Sequence, residues 1–332
     1  MSIGIIANPA SGKDIRRLVS CATTIDNQEK VNIVMRILMA ALGMGEDKIY
    51  IMPDSFGLGD TALDLLEREG YDPSPVEIID MPISASTEDS IRAGRWMEGK
   101  GVACIVVLGG DGTSRAVAKG VTTTPLIPIS TGTNNVYPQF MEGTVVGVAA
   151  GIADQLEDIS DCCIKDKIIE IYIGDTLKDL ALIDATVSSH EHVGSRAIWE
   201  TEKILAIVCT RCHPASIGFS AVPGALITVS DEDEYGVLVR PDPRGIGIKA
   251  SVAPGVIQKM RMSPPVKLGL DRAYELTFDT NGMIALDGER EIKVRAGERV
   301  VFKITQRGPY RLNVRQVIEK GQRENLFRIK ED

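Results

Sequence analysis

The stretch from 106 to 120, VVLGGDGTSRAVAKG, sets Gly109, Gly110, Gly112 and Asp111 between an apolar run and the start of a predicted helix. Glycine allows backbone angles that other residues avoid, and the amides of such a turn suit a phosphate group. The pattern fits neither the P-loop nor the dinucleotide fingerprint. Asp111 would repel phosphate unless it holds Mg²⁺ or accepts a proton from an attacking hydroxyl, and both roles belong to phosphoryl transfer. An exposed aspartate in an ordinary glycine turn is the alternative.

Two further turns follow predicted strands. PLIPISTGTNNVYP (125 to 138) ends in a polar turn that contains glycine, and NPASG (8 to 12) follows the first strand. In an open parallel sheet, ligands bind where the carboxyl ends of neighbouring strands meet. We therefore expect the three turns to form one site. Lys13 is an additional candidate phosphate partner, although the glycine spacing before it is wrong for a P-loop.

The first 150 residues alternate short apolar runs with helical patterns, which predicts a parallel sheet covered by helices. The apolar positions from Glu29 to Leu42 recur at helical intervals, with Gly43 as the expected C-cap, and Thr113 is expected to cap a helix that runs through Ala116. Helical patterns also fit TALDLLERE and STEDSIRAGRWMEG. The predicted strands are IGIIAN (3 to 8), KIYIMP (48 to 53), VEIIDM (76 to 81), ACIVVLGG (103 to 110) and PLIPIS (125 to 130).

From about residue 165 the pattern changes to successive strands separated by Gly, Pro and Asp, which predicts an antiparallel sandwich. The sequence thus predicts two domains, an α/β domain over 1–150 and a β-sandwich domain over 151–309. The tail at 310–332 looks partly helical and is expected to return to the first domain. The predicted strands include KIIEIYIG, KDLALIDATV, KILAIVCT, ALITVS, YGVLVR, GIGIKASV, PVKLGL, AYELTF, GMIALDG, EIKVRAG and RVVFKIT.

The amino-acid composition limits the classes of molecule that the protein is expected to bind. The 332 residues are 44 % hydrophobic and carry a formal net charge of −9, which argues against a nucleic-acid surface because phosphate neutralisation needs clustered Lys and Arg. The first residues lack the pattern of a signal peptide, and no apolar run approaches the roughly 20 residues that span a bilayer. We expect a cytoplasmic protein that binds small molecules, with no nucleic-acid or membrane partner.

Cysteine and histidine spacing raises two alternatives. Cys209, Cys212 and His213 have the C-x-x-C-H form of c-type haem attachment, but haem attachment usually implies export, and a zinc site needs more ligands than this cluster offers. We interpret Cys209 as a buried thiol at the end of a strand. His190 and His192 share one face if they lie on a strand, where a metal site or plain solvation are both open.

The set NPASG, GGDGT, STGTNNV (130 to 136) and DGE (287 to 289) resembles the superfamily of NAD kinases, diacylglycerol kinases and sphingosine kinases, and it spans most of the chain. IIANPASGKDIRRL and ALIDATVSSHEHVGSRAIW are most similar to the ATP-NAD kinase-like group that includes acetoin catabolism protein X. The resemblance implies an α/β domain followed by a β-sandwich, with the active site in the cleft between them. It also implies homo-oligomers and a link to acetoin catabolism.

The resemblance assigns roles to single residues. Asp111 is the candidate base, Glu289 a candidate base or Mg²⁺ contact, and Asp184 and Asp287 candidate acceptor contacts. Arg196 is a further acceptor candidate, since an arginine can hold a phosphate with two hydrogen bonds, although a surface ion pair is the alternative. Asp287-Gly288 is also a hairpin turn signal, and the two readings are compatible. The expected nucleotide and phosphate contacts are Asn8, Ser11, Gly12, Gly109, Gly110, Gly112, Thr113, Thr131, Gly132, Thr133, Asn134 and Asn135.

These features predict a kinase that uses ATP or polyphosphate with Mg²⁺ and phosphorylates a hydroxyl group, with the adenosine 2′-hydroxyl of NAD as the favoured acceptor. The protein itself supplies no firm metal ligand set, so Mg²⁺ is expected to arrive on the ATP phosphates. STGTNNV is closer to the lipid-kinase form of its turn, and the Asn of the NAD kinase motif is missing before Asp184. A lipid or other small alcohol as acceptor, and a regulator that binds nucleotide without catalysis, are the alternatives.

Overall fold

The computed structural model describes residues 2–11, 23, 25–132, 135–189, 203–288 and 290–329. The first part of the chain alternates strands and helices. The strands are β1 (Ile3–Ala7), β2 (Ile49–Ile51), β3 (Val76–Ile78), β4 (Ile105–Gly109), β5 (Leu126–Ser130) and β6 (Cys163–Lys165). The helices are α1 (Asn27–Gly43), α2 (Leu58–Arg68), α3 (Thr87–Lys100), α4 (Asp111–Ala118) and α5 (Gly143–Gln155). The five strands predicted here are all present.

The second part is rich in antiparallel strands. They are β7 (Ile168–Ile173), β8 (Thr176–Ala181), β9 (Asp184–Ser188), β10 (Ile204–Cys209), β11 (Tyr235–Val239), β12 (Pro241–Ala253), β13 (Val256–Met262), β14 (Val266–Gly269), β15 (Ala273–Thr277), β16 (Gly282–Leu286), β17 (Arg290–Val294) and β18 (Arg299–Thr305). A short helix, α6 (Ala221–Gly224), follows β10. The chain then continues through β19 (Tyr310–Leu312) to α7 (Val314–Arg323).

The sheets have the predicted topologies. The first has the order β3-β2-β1-β4-β5-β19-β6, and β1 to β5 are parallel to their neighbours. The second part contains a six-stranded sheet, β14-β11-β10-β9-β16-β17, and a four-stranded sheet, β15-β18-β7-β8. Side chains from both of these sheets, such as Val208 and Phe302, fill one core. The predicted fold class, an open α/β sheet followed by an antiparallel β-sandwich, is confirmed.

The tail returns to the first sheet, as predicted. Arg311 of β19 pairs in parallel with Leu126 of β5, and β6 flanks β19 on its other side. Helix α7 then packs on α5 through Gly321, whose position leaves room for Ile152. The numerical boundaries proposed for the two domains stay a prediction. Among the described helices, none has the length and apolar character needed to cross a bilayer.

Three local predictions need correction. Helix α1 includes Gly43, and the left-handed residue that follows it is Gly45 (φ 89°), so Gly43 is not the cap. Thr113 lies inside α4, because the helix begins at Asp111. The segment ALITVS (225–230) is not a strand. It follows α6 as turn and coil, and within it only Val229 forms an isolated bridge. Short apolar runs do not distinguish buried coil from strand, which explains this error. Strand β13 had no counterpart in the sequence prediction.

Small residues bring α1 and α5 together. A Cβ added at Gly147 of α5 would lie 2.4 Å from the carbonyl oxygen of Ile37 and 2.7 Å from the Cβ of Ala40. The two helices therefore approach each other closely at this point. Gly99 of α3, by contrast, is exposed and has open space around it.

We predict that Gly147→Ala lowers the free energy of unfolding by about 1–3 kcal/mol, because the added methyl group forces the two helices apart. Gly99→Ala is the matched control and should raise it by about 0.5–1 kcal/mol, since alanine loses less backbone entropy in a helix. Urea denaturation of both variants measures the difference. Equal effects of the two substitutions would contradict the close packing of α1 on α5.

Glu46, in the loop after α1, gives the stability a pH dependence. It is 5 % exposed, and its carboxylate oxygens have no hydrogen-bond partner in the described structure. Burial, reinforced by the charge of Asp154, raises the pKa of Glu46 to about 7 from the ordinary 4.5. The protonated form is thus the stable one in the folded protein. Its contribution is complete below pH 4.5 and is lost as the pH rises through 7.

We predict that Glu46→Gln stabilises the protein relative to wild type by on the order of 2 kcal/mol at about pH 8, with little difference at about pH 4. Glutamine cannot ionise, so the variant avoids the cost of burying a charge. Urea denaturation at several pH values gives both stability curves. Parallel curves across this range would show that Glu46 does not change its ionisation on folding.

Candidate active site

Asp111 is the first residue of α4, and Gly110 is its N-cap. The first backbone N–H groups of a helix have no acceptor within it, so this end of α4 suits a phosphate group. The Asp111 carboxylate lies against the loop that follows β5. The backbone N–H of Tyr137 donates to Oδ1 at 2.8 Å, and that of Val136 lies 3.1 Å from Oδ1 and 3.2 Å from Oδ2. These amides fix the carboxylate at the edge of the candidate phosphate site.

Hydrogen bonds link the three predicted turns. The Asn8 side chain after β1 donates to Thr113 Oγ1 of α4 at 2.9 Å. Thr131 after β5 donates from its hydroxyl to Ser11 Oγ at 3.1 Å and from its backbone to the carbonyl of Gly109 at 3.1 Å. The structure therefore brings the described residues of all three turns to one edge of the sheet.

Two glycines of the GGDGT turn lie close to neighbouring side chains. A Cβ at Gly109 would lie 2.5 Å from the Cβ of Thr113, and a Cβ at Gly110 would lie 3.0 Å from Oδ1 of Asn135. The Asn135 amide in turn donates to Ser130 Oγ at 2.8 Å and to the carbonyl of Gly132 at 3.2 Å. Gly112 lies in the first turn of α4. Asn135 thus closes its own turn and lies beside the glycines of the next one.

A buried lysine lies beneath the first turn. Lys30 of α1 is 1 % exposed, and its ammonium group donates to the carbonyls of Asn8, Pro9 and Ser11 at 3.1, 3.2 and 2.7 Å. It also donates to Asn27 Oδ1 at 3.2 Å. One cation therefore holds the backbone of residues 8–11 in a single shape and adds positive charge beside the candidate phosphate site.

Asp287, predicted as an acceptor contact, is wholly buried at the side chain and has a left-handed backbone (φ 47°). Its carboxylate accepts hydrogen bonds from the amides of Leu182, Ile183 and Asp184 at 3.0, 2.8 and 3.2 Å. Burial raises the pKa of Asp287, while Arg115 and these amides oppose the rise. The bonds that Asp287 makes hold the turn before β9, which carries Asp184.

Helix α4 connects this turn to Asp111. Arg115 Nη1 donates to the carbonyl of Leu286 at 2.6 Å and lies 3.5 Å from Asp287 Oδ2. At the end of the helix, Lys119 forms an ion pair with Asp179 of β8. The helix that begins with Asp111 is therefore anchored to the second part of the chain along its length.

An ion cluster surrounds the Tyr137 side chain, which is 1 % exposed. Its hydroxyl donates to Asp166 Oδ2 at 2.7 Å, and Arg311 donates to both oxygens of Asp166 at 3.1 and 2.9 Å. Asp231 accepts from Arg311 Nη2 at 2.6 Å and pairs with Arg211. Burial alone would raise the pKa of Asp231, but the two guanidinium groups lower it. The pKa of Tyr137 is raised by burial and by Asp166.

Several predicted residues lie outside the described residues. They are Gly12, Lys13, Thr133, Asn134, His190, His192, Arg196 and Glu289. Within the described ranges, no three His, Cys, Asp or Glu side chains are arranged to hold a metal ion. The interpretation of Cys209 as a buried thiol at a strand end is confirmed, and burial raises its pKa well above the ordinary value. Cys212 is buried too, beside the carbonyl of Ile227.

Sequence reasoning missed Lys30, Arg115 and the cluster around Tyr137. Lys30 had a usable signal, since it lies three and four residues before Ile33 and Val34 on the apolar face of α1. A lysine at such a position needs acceptors of its own. The cluster had no local signal, because its four charged members come from positions between 166 and 311 in the chain.

Comparison with known proteins agrees with this architecture. Residues 3–157 match the ATP-NAD kinase N-terminal domain, and residues 167–307 match the acetoin catabolism protein X C-terminal domain. Acetoin catabolism protein X of Cupriavidus necator is 34 % identical over 337 residues, which cover 98 % of this chain and 94 % of that protein. The crystal structure of yeast NADH kinase complexed with NADH has a TM-score of 0.52 at 12 % identity, covering 100 % of this chain and 90 % of that one.

The likeness to the yeast enzyme shows a shared fold, since its sequence identity is low. The match to the Cupriavidus protein extends over nearly the full length of both chains and includes both parts of the fold. This chain therefore belongs to the acetoin catabolism protein X family, with an NAD kinase-like domain at its N-terminal side.

Proposed function

We propose that this chain is a kinase that transfers the γ-phosphoryl group of ATP, or a terminal phosphoryl group of polyphosphate, to a hydroxyl group, with the adenosine 2′-hydroxyl of NAD as acceptor. The observation that carries the proposal is the position of Asp111. A carboxylate fixed by two amides stands at the amino end of a helix, among three turns whose amides and hydroxyls suit phosphate.

The chemical step needs one side chain of the protein, Asp111, to accept the proton of the acceptor hydroxyl. The acceptor oxygen forms a bond to the transferred phosphorus, the bond from that phosphorus to the leaving phosphate oxygen breaks, and the acceptor proton passes to the Asp111 carboxylate. The leaving phosphate keeps the electron pair. The amides of Val136 and Tyr137 orient the carboxylate before the reaction, so little reorganisation is needed.

The donor phosphates would lie at the start of α4. The positive end of the helix dipole there, the hydroxyls of Ser11 and Thr131, and the positive charge of Lys30 beneath the first turn all favour a polyanion. The described residues offer no carboxylate cage for a resident metal. Mg²⁺ is therefore proposed as part of the MgATP substrate, where it neutralises donor charge.

The acceptor would approach from the second part of the chain. Asp184 begins β9, is buried to 6 % exposure, and lies in the turn that Asp287 holds. A carboxylate here could accept hydrogen bonds from a ribose or an amide of the acceptor. The solved relative that shares the fold is described as complexed with NADH, which supports a dinucleotide acceptor. A cytoplasmic location, a homo-oligomeric state and a role in acetoin catabolism complete the proposal.

We predict that Asp111→Asn lowers kcat for NADP formation by at least about 100-fold, because the amide cannot accept the hydroxyl proton. Purified protein is incubated with NAD and MgATP, and NADP is followed with a coupled dehydrogenase. Polyphosphate and NADH are tested in parallel. Asp60→Asn is the matched control, since Asp60 also lies in the first turn of a helix but is exposed. Turnover of Asp111→Asn near the wild-type rate would end the assignment.

We predict that Asp184→Asn raises KM for NAD by about 10-fold and leaves KM for ATP unchanged, because only the acceptor loses a charged hydrogen-bond partner. Steady-state kinetics with each substrate varied in turn separate the two constants. Asp80→Asn, at an exposed position after β3, serves as the control. An equal rise in both constants would place Asp184 outside the acceptor site. Activity on a lipid alcohol but none on NAD would overturn the proposed acceptor.

A further inference from the structure

A cavity of about 530 Å³ lies beside the candidate active site, at the edge of the first sheet between β5, β6 and the start of α7. None of the described phosphate-turn residues, and neither Asp184 nor Asp287, lines it. Of the two residues whose amides bind the Asp111 carboxylate, Tyr137 lines the cavity. This volume falls within the range of about 300–1,000 Å³ that is typical of small-molecule sites.

The residues that line the cavity favour a mainly apolar ligand. The walls of the cavity are mostly apolar and include Met141, Val145, Ile164, Leu312, Val314 and Ile318. The charged side chains in the lining are already paired. Glu142 lies 2.9 Å from Arg36, Arg315 lies 2.9 Å from Glu319, and Arg311 binds Asp166 and Asp231. The two acidic and two basic side chains of the lining therefore balance in charge, and the cavity does not select for a charged ligand.

Several lining residues keep hydrogen-bond donors for a ligand. Arg311 uses Nε and Nη2 for its carboxylates, which leaves the N–H groups of Nη1. Asn313 accepts from the amide of Gln316 through Oδ1, which leaves its Nδ2 group, and Gln139 contributes a further side-chain amide. Each of these groups can donate a hydrogen bond. A compact apolar molecule with one carbonyl oxygen matches this arrangement.

The cavity is coupled by contact to Asp111. Its lining includes Tyr137 and Arg311, and both bind Asp166 through their side chains. The backbone amide of the same Tyr137 donates to the Asp111 carboxylate at 2.8 Å. A ligand that bonds to Arg311 therefore contacts the cluster that holds Tyr137, and through it the loop that positions Asp111.

We propose that this cavity is an effector site for a small, uncharged, mainly apolar molecule with one carbonyl group, and that its occupancy is coupled to nucleotide binding through Tyr137. The coupling rests on the proposed function, since it assumes that ATP binds beside Asp111, whereas ligand binding itself does not. Each ligand would favour the arrangement in which Tyr137 is bonded both to Asp166 and to Asp111, so the two should bind with positive cooperativity.

Prodan, an uncharged naphthalene with one ketone, is a suitable probe because its emission reports both an apolar environment and hydrogen bonding to the ketone. Wild type should bind one prodan per chain in a saturable manner with blue-shifted emission. Val145→Trp fills the cavity from α5 and should weaken binding at least 10-fold. Leu205→Trp is the matched control, because Leu205 is similarly exposed, 42 % against 46 % for Val145, and lies on β10 outside the cavity.

Circular dichroism and thermal melting must show that both tryptophan variants fold. Absence of saturable binding by wild type, or equal binding by Val145→Trp and wild type, would overturn the site. Light scattering tests the alternative that a second copy of the chain, rather than a small molecule, covers the cavity. A dimer that Val145→Trp dissociates and Leu205→Trp leaves intact would replace the small-molecule proposal by a subunit interface.

Saturating MgATP should lower the prodan Kd of wild type by about fivefold or more, and prodan should tighten ATP by the same factor. These measurements follow fluorescence and need no turnover. Tighter prodan binding with ATP in a protein that makes no NADP would therefore support the effector site while the proposed acceptor fails. Saturable prodan binding that ATP leaves unchanged would overturn the coupling.

Discussion

The hydrogen bonds from the backbone amides of Val136 and Tyr137 to the Asp111 carboxylate are the constraint on which the candidate site depends. They join the start of α4 to the loop after β5, so the two central turns cannot move apart without leaving a largely buried carboxylate short of donors. Leaving such a group unsatisfied costs about 1–3 kcal/mol, and more when it is charged. Both donors are backbone groups, so the contact joins the two turns directly.

The amide of Tyr137 is itself positioned by distant parts of the chain. Its ring and hydroxyl lie in the cluster of Asp166, Arg311, Asp231 and Arg211, and removing one partner from a buried ion pair costs about 3–5 kcal/mol. Such a cluster contributes little net stability compared with apolar packing, because its charges must be desolvated. Its effect is geometric. It holds Tyr137 in place and, through the Tyr137 amide, orients the Asp111 carboxylate.

The fold and the three candidate phosphate-binding turns follow from local sequence, whereas the connections between the two parts of the chain do not. The apolar runs that form β1, β4 and β5 are bounded by glycine turns, so their parallel pairing and the meeting of Asn8, Gly109 and Thr131 can be predicted from pattern alone. Asp287 shows what local sequence does not predict. The Asp-Gly signal predicts its hairpin, but its bonds to residues 182–184 depend on the pairing of β16 with β9, which no local pattern specifies. Arg115 and Arg311 are similar, since an arginine that binds partners more than 140 residues away resembles any surface arginine in sequence.

The return of the chain through β19 explains why the C-terminal segment belongs to the site although it carries none of its motifs. Tyr310–Leu312 pairs with β5 on one side and with β6 on the other, so it fills the sheet next to the strand that leads into the Asp111 loop. Arg311 in this strand then reaches Asp166, which leads into β7 of the sandwich, and Asp231, which precedes β11. One short strand therefore aligns the first sheet, the sandwich and Tyr137 at the same time. Because these pairings bring together residues distant in sequence, they close large loops, and the site can form only after both parts of the fold have packed. The geometry of the candidate site thus depends on the whole chain, even though the residues proposed to carry the chemistry lie within its first 140 positions and in the turn before β9.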